Sequence, residues 1–143
     1  ATVLSVVSAG IPLIYNGQEA GNPKQLEFFE KDPIAWKEHP RGDLYRRLFA
    51  LKKANTALWN GTWGARMVDV PSSAPEHVLS FVRQDEQNKV FALFNFSQQK
   101  RRVTFDSELS PGRYTDFATG QSVELRAGDA VELPAWGYKV LTR

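Results

Sequence analysis

The chain contains no cysteine. That excludes a disulfide framework, a thiolate metal site and a cysteine nucleophile. Histidine is scarce: His39 and His77 are the only two, far apart in sequence and set in Pro-flanked or polar surroundings. No carboxylate motif accompanies either, so no metal pair is expected. Long apolar runs are missing as well. The longest, Ile11 to Tyr15, falls far short of the roughly 20 residues of a membrane span. Charge of one sign is also missing. Eighteen Lys+Arg face 16 Asp+Glu, a formal net charge of +2, which is no nucleic-acid footprint. The one basic cluster, Lys100-Arg101-Arg102, reads as a solvated turn and strand edge. Gly-rich phosphate loops and a nucleophile elbow around serine are absent too. At 143 residues the chain is too short for a complete eightfold β/α barrel, which takes about 250.

What is present is globular in character, with 42% hydrophobic and 24% charged residues. Residues 1–9 have helical composition and stop at Gly10, so they read as the tail of a helix that begins upstream, not as a signal peptide. The chain is accordingly expected to be a piece of a longer protein. The run Leu13-Ile14-Tyr15, bounded by Gly10, Pro12 and Gly17, reads as a strand buried on both faces, as in parallel sheets. Residues 17–42 are punctuated by Gly17, Gly21, Pro23, Pro33, Pro40 and Gly42 and read as a long loop of functional type. Asp43 to Asn55 is a helix with Leu44, Leu48, Leu51 and Asn55 on one stripe, Asp43 as N-cap, and Lys52 and Lys53 in the last turn.

From about Ala57 the period becomes two. The expected strands are Ala65–Val70, Val78–Arg83, Val90–Ser97, Arg101–Phe105, Arg113–Phe117, Ser122–Leu125, Ala130–Leu133 and Tyr138–Leu141. Polar or Gly/Pro-containing turns separate them. Val103/Phe105, Val123/Leu125 and Val131/Leu133 alternate with polar residues. Val90–Phe96 is apolar almost throughout and reads as a central strand. The fold class is therefore mainly β. It is an antiparallel sandwich preceded by a strand and helix that lack the partners a lone strand needs.

The stretch Gly10-Ile11-Pro12-Leu13-Ile14-Tyr15-Asn16-Gly17-Gln18-Glu19-Ala20-Gly21 closely resembles the eighth barrel strand of the α-amylase family, glycoside hydrolase family 13. Phe29–Trp36 is similar to that family's following loop, and Leu44–Ala54 to its last barrel helix. Tyr114–Gly120 and Leu133–Leu141 resemble the end of its C-terminal β-sandwich. The resemblance implies two units: residues 1–56 as the end of a (β/α)8 barrel (strand, loop and helix) and residues 57–143 as the sandwich.

The resemblance also implies hydrolysis or transfer of α-glucosidic bonds with retention. That chemistry needs a carboxylate nucleophile and a carboxylic acid about 5–5.5 Å apart. In the family these groups and a third carboxylate sit on strands four, five and seven, upstream of Pro12, so this chain is expected to carry none and to be non-catalytic. Glu19, at the strand's C-terminal end, is expected to bond backbone amides of its loop and to support the active site. Tyr15 and Trp36 are the candidates for sugar contact, each weighed against plain packing. No cofactor is implied. The implied partners are an α-glucan or oligosaccharide substrate and either the rest of the barrel or a second copy of the chain, with no nucleic acid and no membrane. The alternative reading is a non-catalytic carbohydrate-binding or interaction sandwich using Trp59, Trp63 and Trp136. Exposure of those rings discriminates between the two.

Overall fold

A computed structural model describes residues 1–143. Two α-helices, α1 (Thr2–Val7) and α2 (Pro40–Ala54), are followed by two single 3-10 turns at Thr56–Leu58 and Gly61–Trp63. Eight strands complete the chain: β1 (Met67–Asp69), β2 (Val78–Gln84), β3 (Lys89–Asn95), β4 (Arg101–Val103), β5 (Gly112–Asp116), β6 (Ser122–Leu125), β7 (Val131–Leu133) and β8 (Tyr138–Thr142). Each coincides with one of the eight segments expected from the period-two pattern. None of the helices is long and apolar enough to cross a membrane.

All strand pairs are antiparallel. Six strands form one sheet in the order β1-β2-β3-β8-β5-β6, and β4 and β7 form a second, smaller one. Side chains alternate across a strand, so β3 serves two cores at once. Phe91 and Leu93 join Val82, Val103, Phe105, Tyr114, Leu133 and Leu141 between the two sheets. Val90, Ala92 and Phe94 join Phe81 and Val140 on the opposite face, under Val3, Val6, Val7, Leu48 and Leu58. This explains why the strand is apolar at nearly every position: both of its faces are buried.

The outer face of the large sheet is thus covered by α1 and α2, and the sandwich shares this second core with the preceding segment. Arg47 ties α2 to the β5–β6 turn, its guanidinium carbon 4.8 Å from the centre of the Phe117 ring. Within the sandwich, the Phe91 and Phe105 rings meet edge to face at 5.1 Å. The Tyr114 hydroxyl donates to the Ser110 carbonyl at 3.0 Å. The basic cluster lies at the sandwich surface, where Lys100 pairs with Glu132 at 2.6 Å and Arg101 donates to the Ser97 hydroxyl at 3.2 Å.

Two expectations are corrected. Leu13-Ile14-Tyr15 belongs to no strand, and Ile11 and Leu13 are 83% and 82% exposed. A strand exists by pairing its backbone groups, and no segment of the chain pairs with this one in a sheet. The N-cap of α2 is His39, not Asp43: its Nδ1 accepts from the Arg41 amide at 3.2 Å. Pro40 at the first helical position supplies the fixed φ with which helices start. Asp43 instead sits inside the first turn and pairs with Arg46.

Candidate functional site

The segment after Tyr15 folds into a compact turn. Asn22 and Ala20 donate to the Gly17 carbonyl at 2.9 and 3.1 Å, and Gly21 donates to that of Gln18 at 3.1 Å. Glu19 lies inside this turn, and its Oε2 accepts from the Gly17 amide at 3.1 Å. Gln18 Oε1 accepts from the Tyr15 amide at 3.1 Å and from the Tyr45 hydroxyl at 3.0 Å. The turn is therefore fastened to α2 through a buried tyrosine. Gly21 has φ +68°, and a Cβ there would come within 2.5 Å of the His39 ring. Only glycine meets both demands: a left-handed backbone and contact with the N-cap residue of α2.

These contacts line an open cleft of about 850 Å³ at the N-terminal end of α2, with Glu19, Trp36, His39, Asp43 and Arg46 in its wall. Of the three residues singled out from the sequence, Glu19 and Trp36 share this cleft, and Trp36 presents a largely exposed ring. Tyr15 is outside it and more than half exposed. The cleft is lined mostly by polar residues of both signs of charge, and combines one aromatic face with several hydrogen-bonding groups. Such a surface can hold a hydroxyl-rich ligand. His77 and His39 are not brought together, and no group of three or more His, Asp or Glu residues is placed to hold a metal ion.

The other tryptophans are also at the surface: Trp59 is 42% exposed, Trp63 79% and Trp136 63%. Trp136 has φ +55°, a left-handed conformation that a bulky side chain occupies only at a cost.

Sequence reading missed the buried cation at the junction of the helices and the sandwich. Arg83 is 2% exposed. It donates to the carbonyls of Ala65 at 3.1 Å, Ser8 at 2.9 Å, Leu58 at 3.3 Å and Trp59 at 2.7 Å. Burial holds its guanidinium, and the Lys52 ammonium, below their usual ranges. The signal was available. Leu79, Phe81 and Arg83 share one strand face, and a cation on an otherwise apolar face marks a buried cap for backbone carbonyls.

Comparison with known proteins agrees with this architecture. Residues 70–140 match the family model described as Maltogenic Amylase, C-terminal domain. Alpha-amylase 2 of Dictyoglomus thermophilum is 24% identical over 133 residues, covering 84% of this chain and 21% of that protein. A probable alpha-glucosidase of Rhizobium meliloti is 32% identical over 115 residues, covering 80% and 18%. The chain thus spans about a fifth of the length of these curated relatives. The maltogenic alpha-amylase AmyB from Thermotoga neapolitana has the same fold, with a TM-score of 0.81 at 18% identity over 98% of this chain and 34% of that one. So does the cyclomaltodextrin glucanotransferase CldA, with a TM-score of 0.69 at 20% identity over 96% and 30%.

Proposed function

Since the chain belongs to the α-amylase family, glycoside hydrolase family 13, as the C-terminal part of such a protein, we propose that it is the non-catalytic end of an enzyme that hydrolyses or transfers α-glucosidic bonds. In this reading, residues 1–56 supply the last strand, its loop and the last helix of the catalytic barrel, and residues 57–143 are an accessory sandwich. The sandwich buttresses the barrel end. Its second core is closed by Val3, Val6, Val7 and Leu48 from the helices. The Glu19–Trp36 cleft then forms one wall of the substrate site, at the C-terminal end of the strand, where barrel enzymes keep their chemistry. Glu19 holds the loop in shape through the Gly17 amide, and Trp36 offers a ring to a sugar.

One observation carries this reading: the face of the chain turned away from the sandwich is unfinished. Ile11 and Leu13 are almost fully exposed, and the backbone of the Leu13–Tyr15 run has no ladder partner. Apolar exposure of that kind is covered in a functioning protein. The remaining barrel strands are the partner that this reading supplies.

The reading is tested on the natural reading frame that carries these residues. Expressed whole, it should turn over maltooligosaccharides with retention. The 143-residue chain, purified alone, should show no turnover above a buffer blank. Activity of the isolated chain, or a full reading frame without paired catalytic carboxylates, would sink the proposal.

A further inference from the structure

We propose a second carbohydrate-binding site on this chain, an α-glucan platform built by Trp59 and Trp63 at the C-terminal end of α2. The sugar class rests on the function proposed above; the site itself rests on geometry. Phe49, Lys52, Lys53, Trp59, Asn60 and Trp63 line one shallow cleft of about 500 Å³, within the roughly 300–1,000 Å³ range of small-ligand sites. The Glu19–Trp36 cleft lies at the other end of the same helix. Asp43 lines one cleft and Lys53 the other, and ten residues of helix separate them by about 15 Å.

The platform is pre-shaped. The Trp59 carbonyl is gripped by Arg83 at 2.7 Å, and its indole Nε1 donates to the Lys53 carbonyl at 3.3 Å. The ring is therefore pinned by its edge while part of its surface stays open. Trp63 is carried by the next turn, where its amide donates to the Asn60 carbonyl at 3.2 Å. That turn folds back on Trp59 because residue 64 is glycine. A Cβ on Gly64 would lie 1.8 Å from the Trp59 carbonyl oxygen. A bend that excludes every side chain at one position thus places two exposed indoles on successive turns.

The polar groups suit a sugar. Asn60 lines the cleft and supplies a side-chain amide to its wall. Lys53 lines the same cleft, is exposed and engages no acidic group. Lys52, by contrast, is spent on backbone carbonyls. An apolar ring surface beside the uncommitted Lys53 ammonium matches a pyranose, which has an apolar C–H face and an equatorial rim of hydroxyls. Ile11, Leu13, Phe28 and Phe29 form a different kind of surface, 82–91% exposed, as expected of segments that await another polypeptide.

The test is affinity electrophoresis of the 143-residue chain in native gels containing soluble starch, with xylan gels as the control. Starch should retard the chain and xylan should not. The W59A/W63A double variant should lose about tenfold in apparent affinity, an energy within reach of two aromatic contacts. F28A, which removes an exposed aromatic that lines neither cleft, should stay within about twofold of the parent. W59F/W63F guards against a folding artefact: it keeps aromatic faces and should retain most of the retardation, with an unchanged circular dichroism spectrum. Undiminished binding by W59A/W63A, or an equal loss in F28A, would overturn the site. Equal retardation by xylan would overturn the α-glucan assignment. No retardation by any polysaccharide would assign the ring pair to protein packing and end the proposal, leaving turnover by the full reading frame unaffected. Starch binding without such turnover would do the reverse.

Discussion

Lys52 and Arg83 donate to the same acceptor. The Lys52 ammonium lies 2.6 Å from the Leu58 carbonyl oxygen and the Arg83 guanidinium 3.3 Å from it. Lys52 also reaches the carbonyls of Val6 and Gly10, both at 3.3 Å, and Arg83 reaches that of Ser8. Between them the two cations satisfy the C-terminal carbonyls of α1 and the turn after α2, which have no partner within their own helices. No carboxylate pairs with either cation, so backbone dipoles alone balance the charge.

Replacing Arg83 with methionine should therefore be severe. Four buried or half-buried carbonyls lose a charged donor together. Leaving such groups unmatched costs about 1–3 kcal/mol each, part of which water recovers at the half-buried ones. We expect a loss of about 3–4 kcal/mol in urea unfolding, near the upper end for single substitutions. A loss under about 1 kcal/mol would mean that the hub is dispensable.

Lys52 gives a pH signature. Burial lowers its pKa in the folded chain, and the nearby Arg83 charge adds to the effect. Between the folded value and the ordinary 10.5, the unfolded chain holds more protons than the folded one. Stability from this group then rises with pH across that alkaline window. The difference in unfolding free energy between the parent and Lys52→Met should grow as pH approaches 10.5 from below. A flat or falling difference would contradict the assignment.

Gly21→Ala should loosen the Glu19 turn. The added Cβ meets the His39 ring and must also accept φ +68°, a combination that costs about 1–3 kcal/mol. The readout is hydrogen exchange: the amides of Gly17 and Arg41 should exchange faster, while those of β3 stay unchanged. Equal acceleration in β3 would show that the turn is not a local unit.

Limited trypsin digestion should cut first at Lys24, Lys31 or Lys37, all exposed and outside regular structure. The two pieces should then co-elute, because Val3, Val6, Val7 and Leu48 close the core over Phe81, Phe94 and Val140. Separation into a free, soluble sandwich would show that this second core contributes little.

Much of the sandwich was legible because its pattern is local. Val103/Phe105 and Val131/Leu133 alternate with polar neighbours, and that alternation follows from strand geometry alone. The departures lie where the outcome depends on distant partners. Leu13–Tyr15 has the composition of a buried strand, but composition supplies no neighbour to pair with. Asp43 resembles an N-cap, yet Pro40 starts the helix three residues earlier. Glu19 and Trp36 stood out through the resemblance carried by the Gly10–Gly21 stretch and the Phe29–Trp36 loop, and the fold sets both in one cleft. The exposure of Trp59 and Trp63 was not readable, since Trp beside Gly fits a buried plug and an open platform equally well. It is decided by Gly64 folding against Trp59, a contact set by the whole junction.

The double-faced burial of β3 leaves its alignment with β2 and β8 weakly protected by hydrophobicity. A slip by one residue would turn Val90, Ala92 and Phe94 towards the sandwich interior and Phe91 and Leu93 towards the helices, and both sides would still be oily. The safeguard lies at the ends. Lys89 stands over the Tyr114 ring at 5.8 Å, and Asn95 donates to the carbonyls of Gln99 and Pro134 at 2.7 and 2.8 Å. Both are buried polar residues, and a shifted strand would strand them without partners. In this sheet the two polar bookends act as the error check that the apolar middle cannot provide.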